Sequence, residues 1–161
     1  MLSSENPSNL LYVSASEGLV PTKGTILLVE DNAQDVELIR LAFRTLNCPY
    51  NLAAVSDGRA AIHYLSRIGQ YSDRTRFPDP CLMLLDLSLP QVGGFEVLAW
   101  MQGEPPEIMP PVLVLSYSRF EQDKHLAHKF GAKGYHVKSP DLNETIALIR
   151  SLLTFNWLPR I

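Results

Sequence analysis

Short apolar runs recur along the chain, and between them apolar positions return every three or four residues. Residues 25–29, 50–55, 81–85, 112–115 and 135–137 are the runs. They are too short for helices and too continuous for strands with one wet face. Strands buried on both sides fit them. After the first run, Asn32 offers an N-cap with Asp35 at N3. Val36, Ile39, Phe43 and Leu46 then mark a helix to about Leu46, and Cys48-Pro49 ends it. Asp57-Gly58 reads as a turn, and residues 60–68 as a second helix closed by Gly69. Residues 70–80 are polar and broken by proline, which predicts a long exposed connection with Arg74 and Arg76 in solvent.

The second half repeats the pattern. Gly93-Gly94 opens a helix over 95–102, and Pro105, Pro106, Pro110 and Pro111 make a stiff loop. A fourth helix over 120–130 stops at Gly131. Asp141 with Glu144 forms a capping box for the fifth, whose stripe is Leu142, Ile146, Ile149 and Leu153. Strand and helix therefore alternate five times. That order predicts an α/β fold, a parallel sheet covered on both faces and doubly wound by right-handed crossovers. In such sheets, sites form at the carboxyl ends of the strands.

Composition narrows the class. The 161 residues suit one domain, read here as 25–154, with an N-terminal tail over 1–24 and an aromatic tail over 155–161. Apolar residues are 46% and charged residues 19%, as in globular chains. A net charge of −3 excludes nucleic-acid binding carried by bulk charge. No apolar run approaches the roughly 20 residues of a membrane helix. Cys48 and Cys81 lack metal spacing and read as free thiols, which points to a reducing, cytoplasmic compartment. His63, His125, His128 and His136 share no metal spacing, and Trp100 reads as packing.

Four strand ends are polar: Glu30-Asp31, Asp86, Ser116 and Lys138. Three carboxylates at one sheet edge resist ionising together, and a hard divalent cation such as Mg²⁺ or Ca²⁺ relieves them. Lys138 adds a positive charge and Ser116 a hydroxyl donor. Such a rim suits a dianionic group, with Asp86 as a carboxylate nucleophile toward a phosphoryl donor.

Together, Val29-Glu30-Asp31-Asn32, Leu84-Leu85-Asp86-Leu-Ser-Leu-Pro90 with Gly93-Gly94, Leu115-Ser116 and Tyr135-His-Val-Lys138 resemble the receiver domain of bacterial response regulators over about residues 24–154. The resemblance implies a flavodoxin-like (βα)5 fold with strand order 2-1-3-4-5. It implies that Glu30, Asp31, Asp86 and the Ser88 backbone carbonyl hold Mg²⁺. It implies that Asp86 takes phosphate from a histidine kinase, with Lys138 binding the phosphate. Ser116 becomes the switch hydroxyl and Tyr135 the switch aromatic. The chain would then be a phosphoacceptor rather than a turnover enzyme. With the chain stopping soon after the fifth helix, no output domain is expected. The 70–80 connection, Lys138-Ser139 and the tail Phe155-Asn-Trp157-Leu also resemble the regulators that serve cyanobacterial phytochrome kinases.

Three departures stand out. Lys138 precedes Ser139 where the family has proline, Tyr117 follows the switch serine where a small residue is usual, and Gly93-Gly94 replaces Asp-Gly. Two other readings compete. One is a degenerate receiver that acts only as a binding adaptor. The other is a phosphohydrolase, which would need a second Asp where Ser88 stands. Phe155, Trp157 and Leu158 form a terminal apolar cluster. It can fold back on the fifth helix or pair with a second chain. A homodimer through the fourth helix, fifth strand, fifth helix and this tail is the expected use.

Overall fold

The computed structural model of the chain describes residues 23–103, 107, 109–154 and 158. The apolar patch 10–13, Pro105, Pro106, Phe155 and Trp157 lie outside the described residues. The five runs become β1 (Thr25–Val29), β2 (Asn51–Val55), β3 (Pro80–Asp86), β4 (Val112–Ser116) and β5 (Gly134–Val137). All pair in parallel, in the order β2-β1-β3-β4-β5. The helices are α1 (Ala33–Thr45), α2 (Gly58–Ser66), α3 (Gly94–Gly103), α4 (Glu121–Lys129) and α5 (Leu142–Leu152). No helix among the described residues is long and apolar enough to cross a membrane.

Successive side chains of a strand point to opposite faces, so each strand feeds two cores. Leu27, Val29, Met83, Leu85, Val112 and Val114 join α2, α3 and α4 on one face. Ile26, Leu28, Leu82, Leu84, Leu113 and Leu115 join α1 and α5 on the other. Leu158 belongs to this second core and is 5% exposed, so that part of the tail folds back on its own chain. Trp100 packs half-buried on the first core.

The reading of residues 57–80 needs correction. Asp57 is the N-cap of α2 rather than part of a free turn: its Oδ1 accepts from the Ala60 N–H at 2.7 Å. The helix ends not at Gly69 but at Arg67, which takes a left-handed φ of 59°. The following segment is exposed only in part: Gln70, Ser72, Asp73, Thr75 and Arg76 face solvent as expected, but the rest is fastened to the fold. It opens with a 3-10 turn (Gly69–Ser72), and Tyr71 and Phe77 are 3% and 1% exposed. With Tyr64 they form a cluster whose ring centroids lie 5.2–6.1 Å apart. Nor is Arg74 a solvated loop residue. Its guanidinium donates to the carbonyls of Tyr64 and Phe77, each at 2.9 Å, and pairs with Asp79. A polar composition hid two buried rings and the cation that staples them.

Candidate functional site

Register carries the polar strand ends to one rim. Val29 lies opposite Leu85 across the β1–β3 pair, so Glu30 and Asp86 emerge side by side. This is where the strand order reverses, the usual place for a site in an open parallel sheet. Asp86 faces Leu115, and Ser116 faces Val137, which brings Ser116 and Lys138 to the same edge. The backbone N–H of Lys138 donates to the Ser116 carbonyl at 2.8 Å. Gly94 keeps the rim tight. A Cβ there would fall 2.3 Å from the Asp86 carbonyl oxygen, so no other residue lets α3 start this close.

Lys138 is the hub of the rim. Its Nζ donates to Glu30 Oε2, to Asp35 Oδ2 at 3.1 Å, and sits 3.2 Å from Asp86 Oδ2. The side chains of Lys138, Glu30 and Asp86 are 8%, 1% and 8% exposed. Burial pushes the Glu30 carboxyl up to about 7, against the hydrogen bond and charge of Lys138. Burial also opposes the Lys138 ammonium. There the hydrogen bond and charge of Glu30, with Asp86 and Asp35, prevail and hold the pKa above the usual lysine value. One ammonium among several carboxylates leaves excess negative charge, and the most buried acid keeps its proton longest.

Glu30, Asp31 and Asp86 each place an oxygen within 4.8 Å of the others. Asp31 is exposed and opens the group to solvent. An all-oxygen donor set with surplus negative charge fits a hard divalent cation. The Ser88 N–H donates to Asp86 Oδ1 at 3.1 Å, which brings the Ser88 backbone beside the group.

Ser116 is 2% exposed, and its Oγ accepts from the Ser118 N–H at 3.1 Å. The Tyr135 hydroxyl donates to the Ser118 carbonyl at 2.9 Å. Ser118 therefore joins the two residues expected to act as a switch. Its own hydroxyl donates to Asp123 at the start of α4. The Lys138–Ser139 peptide is trans, as no cis bond occurs among the described residues.

One contributor escaped the sequence pattern. Asp35 reads there as a helix-start residue, but Asn32 does the capping, accepting from the Gln34 and Asp35 N–H groups. The Asp35 side chain turns instead to Lys138 and to the Tyr117 hydroxyl, 2.9 Å from its Oδ1. An acid that a neighbouring cap leaves free, on the first turn after a polar strand end, is the signal that could have found it.

Known proteins match this arrangement. The family model of the response regulator receiver domain matches residues 26–150. Response regulator Rcp1 of Synechocystis sp. is 34% identical over 136 residues, covering 84% of this chain and 90% of that one. The crystal structure of its Mn²⁺-bound form superposes with a TM-score of 0.72 at 34% identity, covering 85% and 96% of the two chains. The phosphorylated cyanobacterial phytochrome response regulator RcpA gives 0.74 at 34% identity, covering 84% and 98%.

Proposed function

Because this chain belongs to the response regulator receiver domain family, we propose that Asp86 accepts a phosphoryl group from a histidine kinase and so resets the β4–α4 loop. One observation carries the reading: the Lys138 ammonium lies 3.2 Å from Asp86 Oδ2, within an acidic rim at the strand-order reversal. In the transfer, an Asp86 carboxylate oxygen forms the new O–P bond. The P–N bond of the kinase phosphohistidine breaks, and the imidazole leaves with the electron pair and takes up a proton. Lys138 then moves its charge from the carboxylates to the phosphoryl oxygens, and Ser116 donates its hydroxyl to one of them. Glu30, Asp31, Asp86 and the Ser88 carbonyl are the residues to hold Mg²⁺. When bound, that cation would neutralise charge on the transferring group.

The switch follows from the same contacts. Drawing Ser116 toward Asp86 releases the Ser118 N–H, and Ser118 also holds the Tyr135 hydroxyl. Tyr135 and α4 thus report the event to the α4–β5–α5 face. We take that face as the homodimer surface, since β5 is an edge strand and Phe120 and Leu126 stand 73% and 37% exposed on or beside α4. Leu158 is spent on its own core and contributes nothing to it. The likeness to the phytochrome response regulator RcpA supports a phytochrome-type kinase as donor. The free thiols of Cys48 and Cys81 fit a cytoplasmic location. The intact rim argues against a phosphorylation-independent adaptor.

Incubation with Mg²⁺ and a small phosphodonor tests the reading. The wild-type chain should gain one base-labile phosphoryl mass, and Asp86→Asn should gain none while keeping its circular dichroism. Label on the variant at the wild-type rate would overturn the assignment.

A further inference from the structure

Tyr117 directly follows the buried Ser116, yet its side chain leaves its own loop and reaches α1. Its hydroxyl donates to Asp35 Oδ1 at 2.9 Å. The other oxygen of that carboxylate accepts from Lys138 Nζ at 3.1 Å. The Tyr117 ring also faces the same ammonium, with the centroid 5.1 Å from Nζ, a cation–π distance. Three segments far apart in sequence are tied here: α1, the loop after β4 and the end of β5. Neither Asp35 nor Tyr117 belongs to the acidic group that fits a cation.

These ties bear on movement. Ser116 Oγ is occupied by the Ser118 N–H at 3.1 Å. To reach a phosphoryl oxygen on Asp86 it must give up that bond, and the backbone of 116–118 moves with it. Tyr117 cannot follow without straining its bond to α1. Lys138 must also leave carboxylates to meet the phosphoryl group. Asp35 competes for that lysine, and the Tyr117 hydroxyl holds Asp35 where it can compete.

We propose that Tyr117 and Asp35 form a latch that keeps Lys138 and the β4–α4 loop in the resting arrangement and opposes the phosphorylated one. The proposal rests on the reading of Asp86 as phosphoacceptor. Tyr117 is a positioning residue: it acts through Asp35 and Lys138. Because Tyr117 is half exposed, its charge-assisted hydrogen bond biases the loop by about threefold to tenfold, not more.

Beryllofluoride with Mg²⁺, a stable mimic of the phosphoryl group, tests this on the full chain. Tyr117→Phe keeps the ring and removes only the hydroxyl. Its apparent affinity for beryllofluoride should rise about threefold to tenfold over wild type. Asp35→Ala should raise it too, and the double variant should gain no more than the better single one, because both remove one device. The Ser116 and Ser118 amide shifts of unloaded Tyr117→Phe should move toward those of loaded wild type. A purely structural role would instead lower the melting temperature and weaken binding. Wild-type protein that binds beryllofluoride, with a Tyr117→Phe affinity equal or lower, overturns the latch alone. Additive gains in the double variant overturn it as well. Wild-type protein that binds none removes the phosphoacceptor reading and the latch with it.

Discussion

Two aromatic loops interrupt the repeat, and they are built in opposite ways. Residues 67–80 turn Tyr71 and Phe77 inward against Tyr64, at 3% and 1% exposure. The loop after β4 turns Tyr117 and Phe120 outward, at 52% and 73%. Below the first lie other rings; below the second lies a cluster of charges around Lys138. The first loop is fastened by Arg74 to two carbonyls and Asp79. The second is fastened by hydrogen bonds from the side chains of Tyr117, Ser118 and Tyr135 and from the Ser118 N–H, and α4 beyond it buries Ala127 alone. Burial of rings makes a loop part of the core. A few polar ties leave a loop able to exchange partners, as a reporter of a charged site must.

The strongest way to break this contrast is to remove a ring from the first loop. Phe77→Ala leaves a cavity among Tyr64, Tyr71 and the α2 face, and truncation of a fully buried Phe costs about 3–5 kcal/mol. Urea unfolding should show that loss, while the surviving folded fraction still takes phosphate on Asp86. A loss below about 1 kcal/mol would mean that the rings merely rest on the surface.

A smaller effect sharpens the other side of the comparison. Glu30 ionises at about 7 in the folded chain, against a usual value of 4.5, because it is buried. Between those values the folded state holds a proton that the unfolded state has lost. The stabilising contribution of Glu30 is therefore complete below about 4.5, falls as pH rises through about 7, and is flat above that. The drop is at most about 3 kcal/mol by linkage. Chemical denaturation of metal-free protein across this window checks it. Glu30→Gln should flatten the curve there, and an unchanged slope would place the proton elsewhere.

The same contrast explains what the sequence makes legible. The strands and α1 were readable because continuous apolar runs and an Asn cap act over a few residues. Strand order followed from the receiver motifs, and Glu30, Asp31, Asp86 and Lys138 follow from strand ends that the register then brings together. Residues 70–80 look solvated because seven of the eleven are Gln, Ser, Thr, Asp or Arg, while the partner that buries Tyr71 and Phe77 is Tyr64 on the preceding helix. Asp35 does sit at N3 beside the Asn32 cap, as its position implies, and that local place conceals its second role. Its true partner, Lys138, lies 103 residues away, beyond any periodic pattern.

The smallest expected effect on stability separates the two loops most cleanly. Phe120 precedes α4 with its ring 73% exposed and makes no side-chain cap. Phe120→Ser should therefore leave the unfolding free energy within about 0.5 kcal/mol of wild type, in contrast to Phe77→Ala. Its effect should appear in assembly instead. An exposed ring at the start of α4, with Leu126 also exposed on that helix, has reason to be buried by a second copy, since isologous pairing is the common solution for exposed apolar surface. Sedimentation at micromolar concentration, with beryllofluoride and Mg²⁺, should show a wild-type dimer that Phe120→Ser weakens. A wild-type chain that stays monomeric removes the dimer. A variant that dimerises as tightly as wild type moves the interface off this face.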